Sequence, residues 1–197
     1  MAYIIKKINR CLQFIVAAAI IVVSVSLVVG IFYSSRIIYP AIKKSDDVFI
    51  KWEVKGDSPE AYGLNYQDII LKTKDGLHLK GWYIEAKMGY PNKAIVLVHG
   101  YGANKIKMLK YAPFLHAAGY NVLLFDLRFH GESEGRYCSF GYYEQDDIEA
   151  AVDFLCNTKN ICKIAILGES LGGVIGVLAM KNDKRIKAGI FDSIFSD

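Results

Sequence analysis

The sequence predicts an α/β protein in which a mainly parallel, doubly wound sheet follows one transmembrane helix. Two observations support this prediction. Short apolar runs typical of buried strands alternate with longer helical patterns, which is the order that a parallel sheet with crossover helices produces. A separate run of 20 uncharged residues, Phe14 to Tyr33, is long enough to cross a bilayer core. The strands and helices predicted after this run are Asp68–Thr73, Leu77–Glu85, Ala94–Val98, Ile106–Ala118, Asn121–Phe125, Glu144–Cys156, Lys163–Leu167, Leu171–Met180 and Lys187–Phe191.

The apolar run is interpreted as an uncleaved membrane anchor, so that its partner is the lipid bilayer. The alternative is a secretory signal peptide, but the apolar region of such a peptide usually has only about 7–15 residues and ends at a small-residue cleavage site. A buried soluble helix would have polar positions along one face, and only Ser24 and Ser26 interrupt the run. Basic residues flank it: Lys6, Lys7, Arg10, Arg36, Lys43 and Lys44. Those before the run are the more tightly clustered, which favours a cytoplasmic N-terminus and an extracytoplasmic domain.

The organisation predicted for the chain has three parts. Residues 1–35 form a tail and the anchor, residues 36–65 a juxtamembrane linker with turn-forming and charged stretches, and residues 66–197 one α/β domain. The domain opens with a hairpin, because Asp75-Gly76 between the first two predicted strands supplies the positive φ values that a tight turn requires. We find no internal repeat.

The charge of the chain is concentrated at its N-terminus. The formal net charge is +4, and Lys6, Lys7 and Arg10 supply +3 of it. Because the first ten residues contain no acidic side chain, the rest of the chain has a net charge of only +1. The basic character therefore belongs to the anchor, and we predict no nucleic-acid partner.

A serine between two glycines follows one of the predicted strands. Residues 168–172 have the sequence G-E-S-L-G and lie between the apolar run Lys163–Leu167 and an apolar helix. This context predicts a nucleophile elbow, in which a sharp strand-to-helix turn holds Ser170 in a strained backbone conformation. The turn needs Gly168 and Gly172, because a Cβ at either position would collide with the neighbouring strand or helix. A tight turn with an incidental serine is the alternative.

A glycine-rich loop follows another predicted strand. Residues 99–103, His-Gly-Tyr-Gly-Ala, come directly after Ala94–Val98, and their glycines allow the backbone to fold over a ligand. The helix after the elbow starts at Ser170, so the backbone N–H of Leu171 and the positive end of the helix dipole point to where an oxyanion would form.

A third block ends the next predicted strand. Residues 126–133, Asp-Leu-Arg-Phe-His-Gly-Glu-Ser, come directly after Asn121–Phe125. The three blocks, in this order, resemble the α/β-hydrolase superfamily, and the H-G-x-G and D-x-R-x-H-G-x-S pair is most similar to its membrane-anchored branch related to serine aminopeptidases and monoacylglycerol lipases. The resemblance covers about Tyr66 to Asp197. It departs at Phe129, where relatives more often have glycine.

The resemblance implies the fold, a site and a reaction. Ser170 would be the nucleophile, and the backbone N–H groups of Tyr101 and Leu171 would form the oxyanion hole. A serine hydrolase of this type cleaves an ester, lipid, thioester or peptide bond through an acyl-enzyme. Its substrate is a small molecule, a lipid or a peptide, and no metal or organic cofactor is implied.

Four polar residues near these blocks have expected structural roles. The resemblance implies that His99 braces the oxyanion loop instead of acting as the general base. His130 is expected to satisfy nearby backbone groups. Asp126 and Arg128 are expected to pair with each other or to cap the turn after their strand.

The fold to which the chain is similar places its acid and its histidine after the nucleophile. No histidine follows Ser170, and Asp192 is a candidate acid in a segment that resembles a substrate-side loop. We therefore expect the N-terminal two-thirds of a hydrolase domain, with a sheet incomplete at its C-terminal edge and little activity by itself. The alternative is a truncated or degenerate, non-catalytic membrane-anchored homologue. The coding DNA beyond Asp197 would discriminate between them.

The cysteines and tyrosines leave alternatives open. The four cysteines do not form a metal-binding pattern. Cys156 and Cys162 flank a helix-to-strand turn and could close a disulfide in an extracytoplasmic domain, although small buried cysteines are the commoner outcome. The tyrosine-rich segment Tyr137–Tyr143 could line a substrate entrance or form an ordinary aromatic surface.

Overall fold

The first element of the chain is a long N-terminal helix. The structure, a computed structural model, describes residues 2–39 and 54–193. Helix α1 (Ala2–Ile38) includes the segment Leu12–Ile38, which is long and apolar enough to cross a membrane. The apolar run predicted from the sequence lies within this segment.

The chain divides into two compact units, Met1–Tyr39 and Pro40–Asp197. The larger unit contains the α/β domain. The predicted linker, residues 36–65, includes residues 40–53, which lie outside the described residues.

The domain is built on one six-stranded sheet. The strands are β1 (Gln67–Lys72), β2 (His78–Ile84), β3 (Tyr90–Val98), β4 (Tyr120–Phe125), β5 (Lys163–Glu169) and β6 (Ile186–Asp192). Their order across the sheet is β1-β2-β4-β3-β5-β6. The first three strands in this order pair antiparallel, and the remaining pairs, β4 with β3, β3 with β5 and β5 with β6, are parallel. The predicted mainly parallel sheet is therefore confirmed, and the predicted hairpin is β1–β2.

Helices cover both faces of the sheet. Alternate residues of the central strand β3 face opposite sides: Val96 and Val98 pack in one apolar cluster, and Ile95 and Leu97 in the other. Buried residues of two helices complete the first cluster, whereas the second contains residues of a short helix and of the turn before it. In chain order the helices are α2 (Ala112–Ala117), α3 (Glu144–Asp153) and α4 (Leu171–Asn182), of which α2 contributes to the second cluster.

Two helices differ from the prediction. In place of one helix over Ile106–Ala118, a 3₁₀ turn at Lys105–Lys110 precedes the short helix α2. Pro113 explains the interruption, because a residue without a backbone N–H fits only the first turn of a helix. Helix α3 ends at Asp153, and the chain continues as a wider, π-helical turn, Phe154–Thr158.

Strand β6 forms one edge of the sheet in the described part of the chain. It pairs with β5, and most of its residues are exposed, including Ile190, which is 64% exposed. The carboxyl ends of β3, β4 and β5 lie side by side, and the three sequence blocks follow these ends.

Candidate active site

Ser170 lies at the sharp turn between β5 and α4. Its φ of 54° and ψ of −120° are strained for a residue with a side chain. The backbone N–H of Ser170 donates a hydrogen bond of 2.8 Å to the carbonyl oxygen of Asp192, at the end of β6. Its own carbonyl accepts from Gly173 N–H over 2.9 Å, which closes the first turn of the helix. The strand on one side and the helix on the other thus hold the strained serine in place.

The glycines on either side of the serine allow a close approach of three segments. A Cβ at Gly168 would lie 2.5 Å from the carbonyl oxygen of Gly172. A Cβ at Gly172 would overlap the backbone of Val98 and His99. Both contacts are with backbone, which cannot rotate away as a side chain can. The N-terminus of α4 therefore packs directly on the end of β3.

The glycine-rich loop after β3 lies against this turn. A Cβ at Gly100 would be 3.1 Å from the Cβ of Ser170 and 3.1 Å from the carbonyl oxygen of Glu169. Tyr101 follows directly. Leu171 is the first residue of α4, a position at which the helix itself offers no acceptor to the backbone N–H. The structure thus brings together Ser170, the loop of Tyr101 and the start of α4.

His99 is fully buried at the base of this loop, and both of its ring nitrogens are occupied. Nδ1–H donates to the carbonyl oxygen of Gly100 over 2.8 Å, and Nε2 accepts from the backbone N–H of Leu127 over 3.0 Å. Burial lowers the pKa of His99 to about 3, so the ring is neutral. A ring with no free nitrogen has no lone pair for the Ser170 proton. Its geometry is that of a brace between two loops.

His130 has the same kind of environment. Its Nδ1–H donates to the carbonyl oxygen of Arg128 over 2.9 Å, and Nε2 accepts from the backbone N–H of Gly102 over 3.2 Å. Burial lowers its pKa. The ring satisfies backbone groups, as the sequence predicted. The centroids of the two imidazole rings, His99 and His130, are 5.2 Å apart.

The expected pairing of Asp126 with Arg128 is wrong. Asp126 is fully buried and forms an ion pair of 2.8 Å with Nζ of Lys105. Its carboxylate also accepts hydrogen bonds from the backbone N–H groups of Lys105 and Glu132, and the latter caps the turn after β4. The alternative expectation, a cap on this turn, therefore holds for Asp126. Lys105 belongs to the 3₁₀ turn after the glycine-rich loop, and no local pattern indicated it.

Arg128 pairs instead with two acidic residues from distant parts of the chain. Its Nε donates to Asp147 Oδ1 over 2.8 Å, and its Nη1 donates to Asp75 Oδ2 over 2.9 Å. Asp147 is fully buried in α3, whereas the side chain of Asp75 is partly exposed in the β1–β2 turn. Side chains two residues apart on a regular strand point to the same face. Asp126 and Arg128 come after the end of β4, where this alternation stops, and they have different partners. Arg128 thus ties the hairpin to α3.

Asp192 contacts the elbow through its backbone. Its side chain is exposed and accepts a hydrogen bond of 2.9 Å from Ser193 Oγ, with the hydroxyl of Tyr111 at 3.5 Å. The group that faces Ser170 is the carbonyl oxygen of Asp192, which accepts the serine N–H.

Glu169, next to the serine, was not singled out from the sequence. Its Oε1 lies 2.5 Å from Nζ of Lys107, and its Oε2 is 3.4 Å from Nζ of Lys110. Oε2 is buried and has no hydrogen-bond partner of good geometry among the described residues. These ion pairs connect the elbow to the 3₁₀ turn that follows the glycine-rich loop.

Three cysteines of the domain are free thiols: Cys138 and Cys156, which are buried, and Cys162, which is exposed. Within residues 2–39 and 54–193, no group of three or more His, Cys, Asp or Glu side chains could hold a metal ion.

Comparison with known proteins agrees with this geometry. A family model described as the alpha/beta hydrolase fold matches residues 93–197. The uncharacterised protein YqkD of Bacillus subtilis is 34% identical over 160 residues, which cover 79% of this chain and 52% of that protein. WAV2 of Arabidopsis thaliana, an alpha/beta hydrolase domain-containing protein, is 27% identical over 187 residues, 90% of this chain and 56% of that protein.

Solved structures give the same result. The esterase Pf2001 of Pyrococcus furiosus superposes with a TM-score of 0.67 and 31% identity, covering 72% of this chain and 56% of the esterase. The α/β hydrolase GrgF of Penicillium superposes with a TM-score of 0.61 and 27% identity, covering 66% of this chain and 46% of that protein. The chain spans about half the length of the curated relatives it matches. The matched family model, the strand order and the strained turn at Ser170 agree with one another, and the chain belongs to the α/β-hydrolase family.

Proposed function

We propose that this chain carries the nucleophile half of a serine hydrolase, with an acyl-enzyme formed on Ser170. The observation that supports this most strongly is the strained Ser170 at the start of α4, with Gly100 of the neighbouring loop packed against it. A strained serine persists only where its surroundings hold it in place, and such positions cluster at active sites. The similar Pyrococcus protein is an esterase, which is consistent with an ester-type substrate.

In the proposed reaction, Ser170 Oγ attacks a carbonyl carbon while its proton passes to a general base. The N–H groups of Tyr101 and Leu171 stabilise the oxyanion, helped by the dipole of α4. Collapse of the tetrahedral intermediate expels an alcohol, thiol or amine and leaves the acyl group on Ser170. Water then releases the acid. An ester, lipid, thioester or peptide bond fits this scheme.

The general base is not among the four histidines of the sequence. His99 and His130 have both ring nitrogens engaged with backbone groups. His116 lies near the carbonyl of Glu85, beyond the end of β2 that pairs with the start of β4, whereas Ser170 follows the carboxyl end of β5. His78 begins β2, three strands away from β5. We propose that the base and its acid come from a further segment, because this fold places both after the nucleophile and the curated relatives are about twice as long as the matched part. A non-catalytic homologue is the second candidate, supported by the same engaged histidines.

A labelling experiment tests the nucleophile. A fluorophosphonate probe is applied to the full chain alone and to a chimera in which the C-terminal half of the Bacillus relative follows Asp197. We expect labelling of the chimera, little labelling of the chain alone, and none after Ser170→Ala. Labelling that survives Ser170→Ala would show that another residue is the nucleophile. A chimera that folds but is not labelled would favour the non-catalytic candidate.

We also propose that α1 is an uncleaved anchor with its N-terminus in the cytoplasm. Because apolar insertion is insensitive to salt, the chain should remain in the membrane fraction during alkaline carbonate extraction. A protease added outside intact cells should degrade the domain. Release of a shortened soluble form would indicate a signal peptide instead. Protection of the domain from the protease would indicate the opposite orientation in the membrane.

A further inference from the structure

Two aromatic rings form a flat surface beside the glycine-rich loop. The rings of Tyr101 and Phe140 are stacked, with centroids 5.4 Å apart and planes 19° from parallel. They come from different loops, one after β3 and the other before α3. Even so, both side chains remain exposed, Tyr101 by 38% and Phe140 by 46%. We call this pair the aromatic shelf.

The loop that carries Phe140 is held in an unfavourable conformation. Phe140 has a φ of 54°, which is rare for a bulky side chain, and Gly141 follows with a φ of 104°. The buried carboxylate of Glu144 fixes both residues, because it accepts hydrogen bonds of 2.7 Å from the N–H groups of Ser139 and Gly141. The hydroxyl of Ser139 donates to it as well. The position of the Phe140 ring is therefore determined by a buried polar network.

The shelf is connected to both segments that meet at Ser170. On one side, Tyr101 follows Gly100, whose Cα packs against the serine. On the other side, Gly141 packs on α4, since a Cβ there would be 3.2 Å from Leu178 Cδ1. Helix α4 begins directly after the serine. The two loops that carry the shelf thus contact Ser170 on one side and α4 on the other.

Two charged side chains near the shelf have partners within the protein. Glu144 is fully buried and bonded to the 139–141 turn, and Arg128, over the ring of neighbouring Tyr143, is paired with Asp75 and Asp147. A charged ligand would therefore find no free partner in these groups. Stacked rings attract other planar apolar groups, for which the interaction exceeds that of simple area burial.

We propose that the aromatic shelf binds a neutral, planar aromatic group of the substrate and so selects aryl esters or thioesters over aliphatic ones. The proposal rests on the proposed function, because it places this group next to the carbonyl that Ser170 attacks. The alternative is that the stacked pair only holds the two loops in place. In that case, replacing either ring would weaken the binding of aromatic and aliphatic ligands equally.

The test measures binding without chemistry. Ser170→Ala in the full chain, in lipid nanodiscs, is titrated with 2-naphthyl butyrate and with its saturated analogue, decahydro-2-naphthyl butyrate, by NMR. We expect the aryl ester to bind more tightly, and Phe140→Leu or Tyr101→Leu to weaken its binding about fivefold with less than a twofold effect on the saturated ester. Tyr142→Leu, an exposed aromatic of the same segment but outside the shelf, is the matched control and should change neither.

Equal binding of the two esters, or an equal loss for both in the shelf variants, would overturn the proposal. Thermal unfolding of each variant separates a folding defect from a binding defect, and the two independent shelf variants keep the test informative if one fails to fold. Fluorophosphonate labelling of Ser170 in the chimera is a separate measurement. Selective aryl binding without labelling of the folded chimera would contradict the proposed function but support the shelf, whereas labelling of the chimera without aryl selectivity would support the proposed function and contradict the shelf.

Discussion

The backbone N–H of Gly102 donates a hydrogen bond of 3.2 Å to Nε2 of His130. This bond joins the loop after β3 to the loop after β4, and the ring of His130 also packs edge-on against Tyr101. Because Nε2 must accept, the bond exists only while the imidazole is neutral. His99 makes a second link of the same kind, through the N–H of Leu127. The shape of the proposed oxyanion loop therefore depends on two uncharged, buried histidines.

The first prediction concerns stability in acid. Burial lowers the pKa of His99 to about 3 from its ordinary value of 6.5. Between these values the unfolded chain binds more protons than the folded protein, so the stabilisation is complete above pH 6.5 and is lost as the pH falls toward 3. For one histidine the free energy of unfolding changes by up to about 1.4 kcal/mol per pH unit. The lowered pKa of His130 acts in the same direction.

Urea unfolding of the wild type and of His99→Gln at several pH values checks this prediction. The variant should be less stable than the wild type at pH 8, and the difference should narrow between pH 6.5 and pH 4, because glutamine does not titrate. A difference that stays constant over this range would mean that His99 is not the source of the acid sensitivity.

The second prediction concerns the elbow. Gly172→Ala should lower the free energy of unfolding by about 1–3 kcal/mol, because the new Cβ would overlap the backbone of Val98 and His99. Gly30→Ala is the control: it also replaces a helical glycine, but no atom lies within 4 Å of its Cβ position, and the domain should unfold as in the wild type. Chemical denaturation measures both. Equal stability of Gly172→Ala and wild type would show that β3 and α4 can move apart.

The third prediction concerns the ion pair between Arg128 and Asp147. Arg128→Met should destabilise the domain by about 3–5 kcal/mol, because it leaves the buried carboxylate of Asp147 without its partner. Asp75→Asn, at the partly exposed end of the same network, should change stability by less than about 1 kcal/mol. Adding Asp147→Asn to Arg128→Met should recover part of the loss. If the double variant is no more stable than Arg128→Met, the penalty does not come from an uncompensated charge.

The fourth prediction concerns thiol reactivity in the native protein. Burial raises the pKa of Cys138 and of Cys156 to about 11, which leaves little reactive thiolate at pH 8. Cys162 is exposed. Iodoacetamide should therefore modify Cys162 before the other two, as followed by peptide mass spectrometry. A Cys156–Cys162 disulfide peptide in protein purified without reductant would contradict the free-thiol state of this structure.

Local sequence patterns were sufficient for the order of the elements and for the elbow. Apolar runs of strand length mark β4 and β5, and the G-x-S-x-G pattern predicts the strained turn at Ser170, because only glycine tolerates the close backbone contacts on either side of it. Such signals lie within a few residues of one another. The local pattern was wrong at one helix: it predicted a continuous helix over Ile106–Ala118, which Pro113 interrupts.

The partners of buried charges and rings were decided by the tertiary structure alone. Asp126 pairs with Lys105 and not with Arg128, and Arg128 with Asp147, because the turn after β4 directs each side chain toward a different element. Phe140 stacks on Tyr101 only because Glu144 holds its loop at a positive φ. These contacts join residues far apart in the chain, and only the register of packed strands and helices selects among the many partners that composition permits.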